Sequence, residues 1–223
     1  MPGPLAGFKW LALFEDWAVF AEGFFTTVLI AGLGLVLALL LGMLFGVAAA
    51  SPGRGGRRLS RLYVELIQNT PLVIQIFFLY HGLPHLGINL PVFSIGVLGV
   101  GVYHGAYIAE IIRAGIQSIP RGQIESAYSQ GFGYWQAMRY IVLPQATRIV
   151  YPPITNQAVS LIKNTSVLAM VAGGELMYQA DSWSSSNLYY APAYIVTGLL
   201  YLSLCYPLAS YACYLEKRQG ALL

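Results

Sequence analysis

Residues 24–50 run for 27 positions without one charged side chain. As an α-helix this stretch would rise about 40 Å, more than the ~30 Å hydrocarbon core of a bilayer. A soluble domain of this length cannot bury such a surface and the rest of the chain's apolar side chains in one core. Composition sharpens the point: 57% of the 223 residues are hydrophobic and 9% are charged, where soluble domains carry about a quarter charged. Lipid must therefore solvate much of this chain. A net charge of +3 offers no surface for nucleic acid.

Four further stretches reach spanning length, at residues 62–83, 92–116, 149–172 and 191–215. The second span is interrupted by Gln68-Asn69-Thr70-Pro71, where a helix should bend. Pro152-Pro153 lies near the start of the fourth. No polar linker divides the chain, so residues 1–223 are expected to form one all-α membrane domain. Residues 1–22 hold Lys9 against Glu15, Asp16 and Glu22, unlike the basic start of a cleavable signal. Cys205 and Cys213 are eight apart, about 12 Å along a helix, too far for a disulfide within one helix. Gly42-x-x-x-Gly46 and Gly101-x-x-x-Gly105 would let helix backbones approach closely, or merely reflect the glycine content of membrane helices.

Basic residues set the orientation. The segment 51–61 holds Arg54, Arg57, Arg58 and Arg61. The segment between spans three and four holds Arg121, Arg139 and Arg148, with Arg113 at its edge. The C-terminus holds Lys217 and Arg218. With five spans all of these fall on one side. The other side receives Lys9, Glu15, Asp16, Glu22, Glu175 and Asp181. Five transmembrane helices with the N-terminus outside and the C-terminus cytoplasmic follow, and residues 1–22 become an external segment.

The most informative polar stretch joins spans three and four. Pro120 is placed to start a helix. Gly131 and Gly133 interrupt it, and Pro144 should stop the second piece. Two short helices outside the membrane result. Such a knuckle can dock into a groove on a partner. Equally, Tyr134, Trp135 and Tyr140 would suit an ordinary interfacial helix.

This stretch resembles the EAA signature of binding-protein-dependent ABC importer permeases: Glu-Ala-Ala, three residues, Gly, nine residues, Ile, one residue, Leu-Pro. Glu125, Ala127, Gly131, Ile141, Leu143 and Pro144 stand at the required spacing, with the small Ser126 replacing the first alanine. The run Gln68–Gln75 is similar to the Gly-Thr-Pro-Leu-Leu-Val-Gln run of polar amino-acid permeases. The runs 106–113 and 116–120 also fit that branch. Lys163-Asn164-Thr165-Ser166 is similar to its Lys-Asp-Thr-Ser run, with Asn164 where Asp is common. The resemblance covers roughly residues 62–180. It implies a type I ABC importer transmembrane domain in which loop 117–148 carries the coupling helix. It also implies two ABC ATPase subunits, a second permease subunit (identical or a paralogue), an extracytoplasmic solute-binding protein and a bacterial inner membrane. The chain has no Gly-x-x-x-x-Gly-Lys-Ser/Thr loop to hold phosphates. ATP and Mg would belong to the partner ATPase, with no cofactor, metal or catalytic residue here.

Polar groups in the spans are the path candidates, because ionisable groups in a bilayer are costly. Lys163, Asn164, Thr165 and Ser166 would line the solute path. Alternatively Lys163 snorkels, or pairs with Glu110 or Glu65 and holds helices together. Asn69, Thr70 and Gln75 sit at the proline break, where irregular backbone is tolerated beside a cavity or in protein. Glu110 and Arg113, three apart, read as a structural pair. Glu175 and Tyr178 would form an outer gate or a docking surface. His81 and His85 lack further ligands for a metal. The expected activity is ATP-driven import of a polar amino acid, acidic or amide in side chain. The rivals are a permease for another solute, a small gated channel and a membrane-embedded enzyme.

Overall fold

The computed structural model describes residues 6–220. The first five residues of the segment expected outside, 1–22, and the side chain of Arg218 lie outside the described residues. All regular elements described are helices. A short α1 (Gly7–Glu15) turns at Asp16 into α2 (Trp17–Ala50). After Ser51-Pro52-Gly53 comes α3 (Arg54–Gln68), then α4 (Leu72–Phe77), a widened π-type turn (Phe78–Gly82) and α5 (Leu83–His85). α6 (Val92–Gln117) leads to two short helices, α7 (Arg121–Ser129) and α8 (Tyr134–Ala137). A second π-type turn (Met138–Val142) joins α8 to α9 (Leu143–Asn164). The chain closes with α10 (Leu176–Asn187) and α11 (Tyr190–Gly220).

Among the described residues, three helices are long and apolar enough to cross a membrane: α2, α6 and α11 as far as Lys217. α3 and the run from Leu72 to His85 meet that standard together, but bend by 97° at the break. The expected bend is thus real and much sharper than a kink. Pro71 lacks an N–H and disfavours helix at Thr70 before it. The fourth expected span, 149–172, is not one apolar helix. α9 starts earlier, at Leu143, and carries Arg148 and Lys163. Beyond Asn164 it tightens into 3₁₀ turns (Thr165–Val171), and Ala172 turns left-handed at φ 55°. The Thr165 hydroxyl donates to the Ile162 carbonyl at 2.7 Å, and the Ser166 hydroxyl to that of Lys163 at 2.7 Å. Such local bonds compete with the helical ladder.

Helix directions can be read from facing residues. A Cβ on Gly34 would lie 2.6 Å from Val100, one on Gly42 2.3 Å from Ile108, and one on Gly46 2.7 Å from Ile112. The partners advance together, so α2 and α6 run parallel. Gly101 and Gly105 in turn receive Leu37 and Leu41. Both glycine motifs therefore serve close packing along one seam. Parallel neighbours require the chain to return between them, which segment 54–91 does. α9 runs antiparallel to α6: Gly115 faces Val150, while His104 reaches Gln157 and Asn164. α11 is antiparallel to α9, since Asn156 donates to Glu216 and Lys163 lies beside Thr197 and Tyr201.

The central core gathers Ile30, Ala38, Ile76, Val100, Ile108, Leu161 and Leu168. A second cluster at one end joins α1, the start of α2, α10 and the start of α11 through Leu13, Phe20, Leu176, Trp183 and Val196. There Trp183 Nε1 donates to Asp16 Oδ2 at 2.7 Å.

Candidate coupling loop and polar path

The loop between α6 and α9 folds back on the bundle. Ile119, Met138, Val142 and Ala146 pack with Ile116, against Val47 and Ala50 at the end of α2 and Ile112 of α6. The loop therefore packs on the ends of both parallel helices. α7 ends in a tight backbone motif. Gly131 stands at φ +85° and donates to the Tyr128 carbonyl at 2.9 Å, while Phe132 N–H reaches the Ala127 carbonyl at 3.0 Å. This pair of bonds is the Schellman arrangement, which glycine enters without a Cβ penalty. Ala127 beneath it is buried, whereas Glu125 and Ser126 are exposed. Ile141 half-fills an open cleft that Gln123, Ser126, Ala127 and Gln130 also line. Gln145 Nε2 donates to Gln123 Oε1 at 2.6 Å and ties α9 to α7. Leu143 is half-buried against the Ile119 cluster. Trp135 and Tyr140 are 72% and 65% exposed, Trp135 edge-on to Tyr134 and Tyr140 to Phe132.

One expectation is corrected here. Pro144 does not stop the second piece of the loop. It occupies the first turn of α9, where its missing N–H costs little. The widened turn Met138–Val142 carries the helix past it.

Asn69, Thr70 and Gln75 gather at the α3–α4 break. Asn69 Nδ2 donates to the Glu65 carbonyl at 2.7 Å, and Thr70 Oγ1 donates to that of Leu66. Gln75 Nε2 donates to Ile67 at 2.9 Å and Thr70 at 3.1 Å. All three side chains thus satisfy carbonyls at the end of α3, as backbone in a bilayer requires. Gln68 Nε2 and the Tyr63 hydroxyl then fasten α3 to the Ala106 and Val102 carbonyls of α6.

Lys163 is exposed and shares a cleft of about 310 Å³ with Ser166, Met177, Thr197, Gly198 and Tyr201. Neither suggested carboxylate partner reaches it: Glu110 grips Arg113 and Glu65 faces Arg61 at 3.9 Å. The expected Glu110–Arg113 pair is therefore present. Thr165 is fully buried, and Asn164 turns to α6, where its Nδ2 lies 3.0 Å from His104 Nε2. The opposite ring nitrogen lies 3.0 Å from Gln157 Oε1. An imidazole protonated on Nδ1 satisfies both amides and carries no charge.

Glu175 is fully buried. It caps α10, accepting from the N–H groups of Met177 at 2.7 Å and Tyr178 at 2.8 Å, and accepts from the Tyr201 hydroxyl at 2.9 Å. Thr27 Oγ1 accepts from the next N–H, that of Leu176, at 3.1 Å. Burial pushes the Glu175 carboxyl up, and the three donors oppose that shift. The cleft thus brings Lys163 and Ser166 to Tyr201, with Glu175 behind it. Asn69, Thr70 and Gln75 do not line it.

Sequence reading missed His104, Gln157, Thr27 and Tyr201. The signal for His104 was available, since a lone histidine in an apolar span must find polar partners. His81 and His85 are exposed, and no metal-type cluster occurs among the described residues.

A family model for the inner membrane component of binding-protein-dependent transport systems matches residues 38–220. The chain is 45% identical over 206 residues to the probable glutamine ABC transporter permease protein GlnM of Bacillus subtilis, covering 92% of this chain and 95% of that one. It is 31% identical to the glutamine transport system permease protein GlnP of Escherichia coli, covering 96% and 99%. A crystal structure of an amino acid ABC transporter with histidines is similar at a TM-score of 0.86 and 30% identity, covering 94% and 98%. The MetNI methionine ABC transporter shares the fold, with a TM-score of 0.72, 15% identity, and coverage of 90% and 98%.

Proposed function

Since this chain belongs to the binding-protein-dependent transport system inner membrane components, we propose that it crosses the bacterial inner membrane five times and carries glutamine or a close amide or acidic relative. It is the non-catalytic permease subunit of an amino-acid ABC importer, and ATP is hydrolysed by separate subunits. Helix directions support the five-span reading. α2, α6 and α11 run one way, α9 runs the other, and the broken pair α3–α5 supplies the remaining return. Arg54, Arg57, Arg58 and Arg61 then share the loop's side, as the positive-inside rule asks. Two relatives whose names say glutamine, and the neutral Asn164, support the solute class.

The observation that carries the mechanism is the Glu125–Pro144 loop, closed by the Gly131 motif and packed on the ends of α2 and α6. In this reading an ATPase subunit holds exposed Glu125 and Ser126. Ala127, Gly131, Ile141, Leu143 and Pro144 set the shape that it grips. Closure of the ATPases pushes the loop, and the helices expose the path alternately to each side. A second permease subunit completes that path, and an extracytoplasmic binding protein delivers the solute. Lys163 and Ser166 face the path, Asn164 and the buried Thr165 hold that turn from behind through His104 and Ile162, Glu175 braces it through Tyr201, and Asn69, Thr70 and Gln75 hold the break in the second span.

Co-purification from native membranes tests this, with ATPase activity read on the captured complex of wild type and Gly131→Trp. An ATPase bound to wild type and lost or uncoupled in the variant supports the loop as the docking site. Equal coupled activity in both would remove it. For the path, Lys163→Met should abolish solute uptake while the complex still assembles, and normal uptake would exclude Lys163.

A further inference from the structure

We propose that the arginine face of α3, together with Arg113 of α6, is a binding site for an anionic phospholipid of the cytoplasmic leaflet. Three residues separate α3 from the end of α2, and Arg54, Arg57, Arg58 and Arg61 fall within the first eight residues of α3. Between these arginines and just beyond them Leu59, Leu62 and Leu66 are each more than half exposed. A helix with guanidiniums and bare leucines so arranged sits at the boundary between headgroups and acyl chains. Its 97° angle to the continuing half of the span fits that position.

α3 also walls a cleft of about 510 Å³ against α2 and α6. Arg57, Arg61 and Arg113 line it together with Glu65 and Glu110, with the amides of Gln68 and Gln117 beside them. Arg113 is held by Glu110 and Gln117, so its position is fixed. Arg61 is only loosely matched by Glu65 at 3.9 Å, and Arg57 donates to the Pro52 carbonyl at 3.2 Å. Three arginines thus stand against two glutamates in the cleft, and Arg54 and Arg58 on the same helix add to the positive charge at this corner. Two under-used guanidiniums facing one cleft suit a phosphodiester, whose oxygens accept their planar donors. The leucines alongside select a phosphate that carries acyl chains. Basic clusters just cytoplasmic of a membrane helix attract anionic lipid on the same grounds. Because Tyr63 and Gln68 fasten α3 to α6, a bound headgroup would brace the entry half of the broken span.

The test is native mass spectrometry of the purified transporter complex, delipidated and titrated with phosphatidylglycerol or phosphatidylcholine. Wild type should retain phosphatidylglycerol preferentially. Arg57→Gln and Arg61→Gln should each weaken that retention roughly fivefold. Arg57→Lys and Arg61→Lys should largely keep it, and Arg139→Gln, in the loop, should not change it. Equal retention of both lipids by wild type, or an unchanged preference in both glutamine variants, would overturn the site. Inorganic phosphate is the third arm. If it binds without lipid, displaces phosphatidylglycerol and depends on the same arginines, the site belongs to a free anion and the lipid assignment falls. None of these readouts uses ATPase capture, so this proposal and the transport mechanism fail separately.

Discussion

At Gly131 the backbone stands at φ +85° with nothing within 4 Å of where a Cβ would be. A side chain there meets conformational strain and no steric wall. Gly131→Ala should cost roughly 1–2 kcal/mol in the left-handed region and lower solute-stimulated ATPase activity of the assembled complex. Gly131→Asn should recover most of that loss, because asparagine tolerates the conformation. Equal loss in both would mean that bulk and not backbone matters. At Glu175 burial raises the carboxyl, so the folded protein binds that proton more readily than the unfolded chain. Its contribution to stability is complete below the ordinary carboxylate range and fades as pH rises through the raised value. Glu175→Gln, which removes the charge, should flatten the fall in melting temperature with rising pH over that window. An unchanged pH dependence would show that Glu175 is not the titrating group.

Among the elements, the α2–α6 seam is closely packed along its length. A Cβ on Gly46 would fall 2.8 Å from the Ala109 carbonyl oxygen, a backbone atom that cannot step aside cheaply. Gly46→Val should destabilise by roughly 1–3 kcal/mol through overpacking, whereas Gly32→Val, with open space around it, should be neutral in a thermal melt. The two glycine pairs were legible in the sequence as close-approach signals, and so were α2, α6 and α11, whose apolar length alone marks them. The loop was legible as two short helices with a glycine break. Other elements were not. The run 149–172 reads as apolar, yet Thr165 and Ser166 turn their hydroxyls onto the preceding backbone and end α9. Pro144 looks like a stop, yet a widened turn before it lets the helix proceed. Asn69, Thr70 and Gln75 read as path residues because polarity in a span suggests function, and the structure adds a second task for their donors. Their N–H and O–H donors serve carbonyls that the break itself exposes. Sequence spacing cannot report such a debt, because it arises only once the 97° bend is made.

For the molecule as a whole, the five-span reading predicts opposite exposure of its two ends. In a background lacking Cys205 and Cys213, Ser186→Cys on α10 should react with a membrane-impermeant maleimide in intact spheroplasts. Ser129→Cys at the end of α7 should react only after permeabilisation. Labelling of both from outside would refute the arrangement. The parallel seam has a further consequence, for how the protein is made. Gly34, Gly42 and Gly46 of α2 each meet a partner 66 positions later in the chain (34 to 100, 42 to 108, 46 to 112). During synthesis α2 therefore enters the membrane well before its matching face exists. Until α6 emerges, its notched side must be covered by lipid or by the insertion machinery. The nascent permease is thus most exposed to mispairing and quality control while segment 54–91 is being laid down.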